Sequence, residues 1–402
     1  MRVAVVGGGP GGLCAAIGLG QLGHDVVVLE RLEHPSARPS RSRQRSYPVD
    51  ISGGGMAALE ALGAAPEGGA LRRRLLPFLG HAAEPGGRAP RPMRSPGLIG
   101  TREDVVRGLE EHIEERGGRW AGRVRVFHGV EVGRLDLAAR TVEVVGAVGC
   151  DLGEAAAAAQ QPFDLICACD GKFSRLRAAA AEQDPGLRVT EGQRRRFGEN
   201  IYKTLNLDRS EAVERLLVPG YLYACGGCVV TRLPAGDAVG IVSMWRDADW
   251  EPGLVRRRLG KLLPCVSAEE EAAFDMREVQ DAGGGFTVSR LHAGGCLVLL
   301  GDSATTPPPP GQGCGHAICA AAALVSEFKK VPLDCTAETR GEPAQACGGK
   351  CGSAVRTLSG FARADCPPPS PSPHTPHTLF HWRIGSGWRV AYAEGEQGSR
   401  RC

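Results

Sequence analysis

The stretch Val3-Ala4-Val5-Val6-Gly7-Gly8-Gly9-Pro10-Gly11-Gly12 constrains the fold more than any other part of this chain. An apolar, β-type run stops at glycines, and an alanine-rich helical run follows from Leu13 to Leu22. Gly7, Gly9 and Gly12 stand in G-x-G-x-x-G spacing. In a strand, turn and helix unit the first glycine makes the tight turn, the second lets backbone approach a pyrophosphate, and the third lets the helix pack closely on the strand. The helix N-terminus adds unpaired N–H groups and the positive end of its dipole. A second apolar run, Val26 to Leu29, ends in Glu30, near the offset of about 20 residues at which an acidic side chain meets ribose hydroxyls. A plain glycine-rich loop needs no such company, so the reading is a βαβ dinucleotide site.

At 402 residues the chain exceeds the size at which a single core stops growing, about 250–300 residues, and two domains are expected. Hydrophobic residues make up 42% and charged residues 23%, which argues against wholesale disorder. A net charge of +3 gives no field that would draw nucleic acid or an anionic membrane. Arg38, Arg41, Arg43 and Arg45 cluster locally, either as a solvated loop or as a site for an anionic phosphate. No run reaches the roughly 18 apolar residues of a membrane span. The first strand begins at Arg2 and leaves no room for a cleavable leader, so a cytoplasmic protein is expected. Most of the cysteines, such as Cys14, Cys167, Cys169, Cys296 and Cys319, lie inside apolar runs and read as small buried hydrophobes. Cys225-x-x-Cys228 and the pair Cys347 and Cys351 lack flanking ligands, so no metal is expected.

Along the chain, Tyr47 to Ser52 reads as a strand, and Met56 to Leu62 as a helix stopped by Gly63. Gly80 to Pro96 has no periodicity and reads as a loop or a poorly formed strand pair. Thr101 followed by Glu103 and Asp104 gives an N-cap with an acidic first turn, and Val105, Leu109 and Ile113 give the apolar stripe of the helix behind it. A meander of strands is predicted from Arg123 to Val145, and Ala155 to Gln161 reads as a loop insertion. Asp164 to Cys169 is a buried strand ending in Asp170-Gly171, with Ser174 as a helix cap. From Arg188 to Val288 the runs Tyr202 to Leu207, Tyr221 to Leu233 and Val239 to Trp245 predict an antiparallel sheet, turned at Leu233 to Asp237. Cys296 to Leu300 has the fully apolar pattern of a central parallel strand, ends in Gly301-Asp302, and leads through Gly311-Gln312-Gly313 into a helix from Ala317 to Phe328.

The fold class expected is α/β: a Rossmann-like binding domain with a parallel sheet, into which a mostly antiparallel β-sheet substrate domain is inserted. The first takes residues 1–75, 98–178 and 290–328, and the second 76–97 and 179–289. Residues 329–402, rich in Pro, Gly, Ser and Cys, read as a low-complexity and mostly disordered tail.

Three separated motifs together resemble the FAD-dependent aromatic hydroxylases, the class A flavoprotein monooxygenases. The first is Gly7, Gly9, Gly12 and Glu30. The second, Asp170-Gly171-x-x-Ser174-x-x-Arg177, is similar to the family's D-G motif, which touches flavin and nicotinamide phosphates. The third, Gly301-Asp302 followed by Pro308 and Gly311-Gln312-Gly313, resembles the G-D motif, whose aspartate holds the flavin ribityl chain while the G-Q-G helix start faces the isoalloxazine ring. Arg45 and Arg102 occupy places where the family uses arginines near the flavin. A narrower likeness, carried by Arg45-Ser46, Tyr202 to Leu205 and Val298 to Asp302, is to the kynurenine 3-monooxygenases. The resemblance implies resident FAD and transient NADPH or NADH. Hydride reduces the flavin, O2 converts it to a C4a-hydroperoxide, and the distal oxygen passes to a small aromatic substrate. Tyr221, Tyr223 and Trp245 are candidates for substrate contact, against the plainer reading of core aromatics.

The chain also departs from the family. Thr305 stands where a histidine is common, Gly315 where an asparagine is, and the helices that usually follow residue 328 are replaced by the atypical tail. Two other functions therefore stand beside hydroxylation: a flavin-dependent reductase of another substrate class, and a truncated flavin-binding remnant without activity. A truncated gene product predicts no well-packed helix beyond about Lys330.

Overall fold

The computed structural model describes residues 1–34, 37, 47–82, 85–87, 92–94, 96–120, 122–147, 152–191, 200–225, 227–245, 250–281, 286–306, 313–330, 379–384 and 387–392. β1 (Arg2–Val6) has its last four residues buried, as an unbroken apolar run requires of a strand covered on both faces. α1 (Pro10–Gln21) starts on Pro10, whose missing N–H is no loss in a first turn, and β2 (Asp25–Glu30) returns parallel to β1. Next come β3 (Pro48–Ile51), α2 (Gly54–Ala61), α3 (Ala70–Arg74), β4 (Leu76–Phe78), β5 (Gly80–Ala82) and β6 (Gly97–Thr101). Gly63, with φ of 60°, ends α2 as its position predicts. β6 lies between β3 and β4 in a small antiparallel sheet, whereas β5 leaves to join a strand far along the chain.

α4 (Arg102–Arg116) begins with a reciprocal cap. Asp104 N–H donates to Thr101 Oγ1 (3.1 Å) and Thr101 N–H to the Asp104 carboxylate (3.2 Å). β7 (Val124–His128) pairs parallel with β2, so the predicted meander is corrected: only β8 (Val130–Asp136) and β9 (Thr141–Ala147) form a hairpin. α5 (Leu152–Gln160) replaces the predicted loop insertion. Alanine has the best intrinsic helix propensity, and Ala155, Ala158 and Ala159 bury against Phe163 and its neighbours. β10 (Leu165–Ala168) and α6 (Arg175–Gln183) follow, and the Ser174 hydroxyl accepts from Arg177 N–H (2.9 Å) as a cap.

The second body of strands opens with β11 (Val189–Glu191) and continues through β12 (Asn200–Leu207), α7 (Glu211–Leu216), β13 (Tyr221–Cys225), β14 (Cys228–Arg232), β15 (Ala238–Trp245), α8 (Leu254–Leu259), α9 (Ala268–Met276) and β16 (Gln280–Asp281). The single run read from Tyr221 to Leu233 is thus a hairpin of two strands. The Leu233 to Asp237 turn joins β14 to β15, with Leu233 N–H donating to Asp237 O (2.7 Å). The sheet order is β16-β12-β15-β14-β13-β5, antiparallel except where β5 joins β13. The residues read as loop between Gly80 and Ala82 are therefore an edge strand. α9 is held to β12 by a buried pair: Arg277 meets both oxygens of Glu270 (2.5 and 2.6 Å) and donates to Thr204 O, while Asn206 N–H donates to Glu270 (2.7 Å).

β17 (Phe286–Val288) pairs with β11, and β18 (His292–Ala293) and β19 (Leu297–Leu299) return to the first sheet. Its order is β18-β19-β10-β1-β2-β7, parallel but for β18. α10 (Gly313–Lys329) packs on α1 and α2. Past residue 330 the described residues form one hairpin, β20 (Leu379–Ile384) and β21 (Gly387–Tyr392). The sequence reading places no element there. Both segments are rich in aromatic and β-branched residues, which favour strands. Among the described residues no helix is long and apolar enough to cross a membrane.

A Cβ on Gly12 would sit 2.0 Å from Gly7 O, a backbone atom that cannot yield. Gly12→Ala is expected to lower stability by about 1–3 kcal/mol in urea unfolding, the usual range for overpacking. Gly118, with open space around it, is the control and should tolerate alanine; equal midpoints for the two variants would contradict this packing.

Candidate functional site

Because β19, β10 and β1 are adjacent and parallel, their C-terminal ends lie side by side, and each ends in one of the three motifs. The first turn is locked to its neighbours by backbone. Gly7 N–H donates to Leu29 O (2.9 Å) and Cys169 N–H to Val6 O (2.8 Å). Gly7 has φ of 105°, and a Cβ there would stand 2.4 Å from Cys169 O, so only glycine fits on both counts. Glu30 folds onto the same turn: Gly8 N–H donates to one carboxylate oxygen (2.6 Å) and Leu32 N–H to the other (2.8 Å). Gly9 is different. Among the described residues a Cβ there would meet only Arg102 Nη2, at 3.4 Å, so none of them demands glycine at that place.

The third turn joins the first through one methyl group. Ala317 of α10 lies 3.1 Å from where a Cβ of Gly11 would be and 2.8 Å from that of Gly301, which has φ of 60°. The second and third turns are tied by Arg177, which donates to Ser303 O (3.0 Å) and Lys172 O (2.9 Å). Leu300 N–H also donates to Ala168 O (3.0 Å), and the buried Ser303 hydroxyl bonds to the same carbonyl.

Two carboxylates stand in this junction. Asp170 uses one oxygen on the start of α6, accepting from Leu176 N–H (3.2 Å), while its Oδ1 is buried with no hydrogen-bond partner among the described residues. Asp302 Oδ1 is likewise buried and unpartnered there. Burial pushes both carboxyls above the ordinary aspartate value; for Asp302, His316, Arg102 and Lys172 pull in the opposite sense. His316 is itself pushed down by burial, with Asp302 opposing. Unmade hydrogen bonds of this kind cost about 1–3 kcal/mol each, so two of them at one junction mark a place built for polar atoms that the described residues do not supply.

Gly313 begins α10 against Asp302, 3.6 Å from where its Cβ would be, and Gly171 and Gly315 face open space. Arg102 is exposed at the start of α4, facing Gly9 and within the field of Asp302 and Tyr47. The structure therefore brings Gly7, Gly9, Gly12, Glu30, Arg102, Asp170, Gly171, Asp302 and Gly313 to one place. Arg45, Gly311 and Gln312 lie outside the described residues. Tyr221 and Tyr223 are buried in the core of the second sheet, and the Tyr223 hydroxyl accepts from Val218 N–H (2.9 Å), the plainer of the two readings; the Trp245 side chain lies outside the description. Thr305 donates to Phe286 O (3.1 Å).

Four residues that the motifs did not single out join the site. They are Lys172 and His316 near Asp302, and Tyr47 and Asp50 on the side of the second sheet. The Tyr47 ring meets that of Tyr202 edge-on at 6.5 Å, and β3 packs on β14 and β15. Asp50 is buried, held above its ordinary value by burial and eased by His81 and Ser52. Burial also raises the Cys314 thiol to about 12, which leaves it protonated and poorly nucleophilic at neutral pH. Only adjacency to the motifs could have signalled these residues in sequence.

Residues 5–63 match the family model described as a NAD(P)-binding Rossmann-like domain. No curated protein matches the sequence. Among solved structures, the 2-methyl-3-hydroxypyridine-5-carboxylic acid oxygenase is similar at 18% identity and a TM-score of 0.59, over 90% of this chain and 89% of that one. Klebsiella pneumoniae HpxO complexed with FAD and uric acid matches at 19% identity and 0.55, over 90% of this chain and 89% of that one. Tetracycline destructase Tet(55) matches at 16% and 0.54, over 89% of this chain and 87% of that one. The chain shares its fold with these three structures. The narrower likeness to kynurenine 3-monooxygenases is not supported by these structures.

Because Asp302 is raised in the folded state, the folded protein holds that proton more tightly than the unfolded chain does. Its contribution is present below the unfolded aspartate range, about pH 4, and lost as pH rises through the folded value. Asp302→Asn should therefore raise the melting temperature of ligand-free protein at pH 7 and have little effect near pH 4; a lower melting temperature at pH 7 would contradict the assignment.

Proposed function

We propose that this chain is an FAD-dependent monooxygenase that uses NADPH or NADH and O2 to hydroxylate a small aromatic substrate. One observation carries the reading. Three turns distant in sequence meet around two buried carboxylate oxygens, Asp170 Oδ1 and Asp302 Oδ1, that find no partner among the described residues, beside a glycine, Gly9, that the packing of those residues does not require. A long cofactor with a pyrophosphate and polyhydroxyl chain fits that donor demand. The Gly7 to Gly12 turn and the N-terminus of α1 would hold the pyrophosphate, with Arg102 beside it. Glu30 would take ribose hydroxyls, Asp302 the ribityl chain, and the backbone at Asp170 and Gly171 the phosphates nearby. Arg45 and the Gly311, Gln312 and Gly313 helix start would border the ring.

Bound FAD would supply hydride acceptance and oxygen activation. The protein's part is to orient the substrate and keep water away. Tyr47 and Tyr202, stacked edge-on, close the gap between β3 and the second sheet, and Asp50 with His81 puts a polar pair on that side. Residues 1–75, 98–178 and 290–328 would form the FAD-binding domain, and 76–97 with 179–289 the substrate domain; the pairing of β5 with β13 supports that division. Neighbouring folds named for a hydroxypyridine carboxylic acid or complexed with uric acid agree with a small aromatic substrate.

The purified full-length protein should show flavin absorbance, oxidise NADPH or NADH, and consume O2 in a manner stimulated by one member of a panel of phenols, hydroxypyridine carboxylates, urate and kynurenine. Nicotinamide oxidation with no aromatic-dependent O2 uptake would indicate a reductase, and protein unable to retain added FAD would sink the reading altogether. Gly9→Val should leave the fold intact and abolish FAD retention, since its side chain would stand where backbone must approach a diphosphate. Asp302→Ala should weaken FAD binding with little loss of fold.

A further inference from the structure

Away from the nucleotide turns, three segments far apart in sequence bring metal-ligating side chains together. His34 lies in the loop leaving β2, four residues past Glu30. Glu110 lies on the buried face of α4, and His128 ends β7, where it is the cross-strand partner of Glu30. One ligand atom from each of the three lies within 4.8 Å of the others. His128 Nε2 is 3.5 Å from Glu110 Oε1, and these side chains are only 12% and 7% exposed. The two imidazoles meet edge to face with centroids 4.8 Å apart. Glu114 is one turn further along the same face of α4, with Oε1 3.7 Å from His34 Nε2.

We infer that His34, Glu110 and His128 bind a divalent transition metal of the zinc class, with Glu114 or water in the fourth position. Zinc holds imidazole nitrogen at about 2.0–2.1 Å and carboxylate oxygen at about 2.0–2.2 Å, so tetrahedral neighbours stand about 3.4 Å apart. The His128 to Glu110 separation already matches that edge. His34 is exposed, and bringing its ligand atom from within 4.8 Å of the other two to that edge completes the third corner. Two imidazoles and one carboxylate suit zinc better than magnesium or calcium, which prefer oxygen alone. The metal would pin the start of the loop after Glu30 to α4 and β7, where Gly129 N–H already donates to Leu32 O (2.8 Å).

The test is a zinc titration of chelator-stripped, full-length protein in competition with a chromophoric chelator, with metal content by mass spectrometry and thermal melts in parallel. The expected result is about one equivalent bound, and a rise in melting temperature on adding zinc. His34→Ala and His128→Ala should each weaken binding by about tenfold or more and lose that rise. His34 is exposed, so the metal-free melt of His34→Ala should match the parent and separate ligation from folding. Absence of stoichiometric zinc, or zinc bound with unchanged affinity in both variants, as capture by the C-terminal cysteines would give, overturns the site.

Discussion

The contact on which the site depends is between two pieces of backbone. Gly7 lies so close to the Cys169 carbonyl that no side chain can stand between them, and Gly12 lies as close to Gly7 O. These approaches set the height of α1 on the sheet and the distance between the first and second turns. A methyl group at Ala317, wedged against Gly11 and Gly301, sets the distance to the third. The strand order supplies adjacency, and the glycines supply the last ångströms. Side chains then tie the result: Arg177 bridges two of the turns, and Ser303 holds the third to Ala168.

Within that frame the two aspartates are held at a cost. Water would solvate them better than their surroundings do, which is why burial raises both. Natural proteins concentrate such conflicts at functional places. At Asp302 the nearby Arg102, Lys172 and His316 limit the cost, and Oδ1 keeps no hydrogen-bond partner among the described residues. By contrast the buried pair Arg277 and Glu270 in the second body is fully engaged with backbone and reads as structural.

The sequence was most legible where local chemistry dictates structure. The apolar run ending at Gly7, the cap at Thr101, the cap at Ser174 and the turn at Leu233 to Asp237 all stand where residue type and spacing put them. What escaped depends on pairing at a distance. β7 is short and half-polar and reads as part of a meander, but β2 offers it a parallel edge. β5 has three residues and no pattern, and exists because β13 receives it. α5 is alanine-rich and lacks a polar face, so periodicity could not find it. Of the site, the motif residues were readable from their spacing at strand ends, with glycine forced by close backbone at Gly7 and Gly12; Lys172, His316, Tyr47 and Asp50 arrive through packing. The triad of His34, Glu110 and His128 has no local spacing at all, since each member comes from a different element.

One of the two partners of β1, β10, begins 163 residues later, and Arg2 N–H bonds to Asp164 across an offset of 162. Until β10 is in place the unit of β1, α1 and β2 has one backbone edge of β1 unpaired, an apolar template that can recruit other strands. The same crossover that places Cys169 against Gly7 leaves that edge open until the later strand arrives.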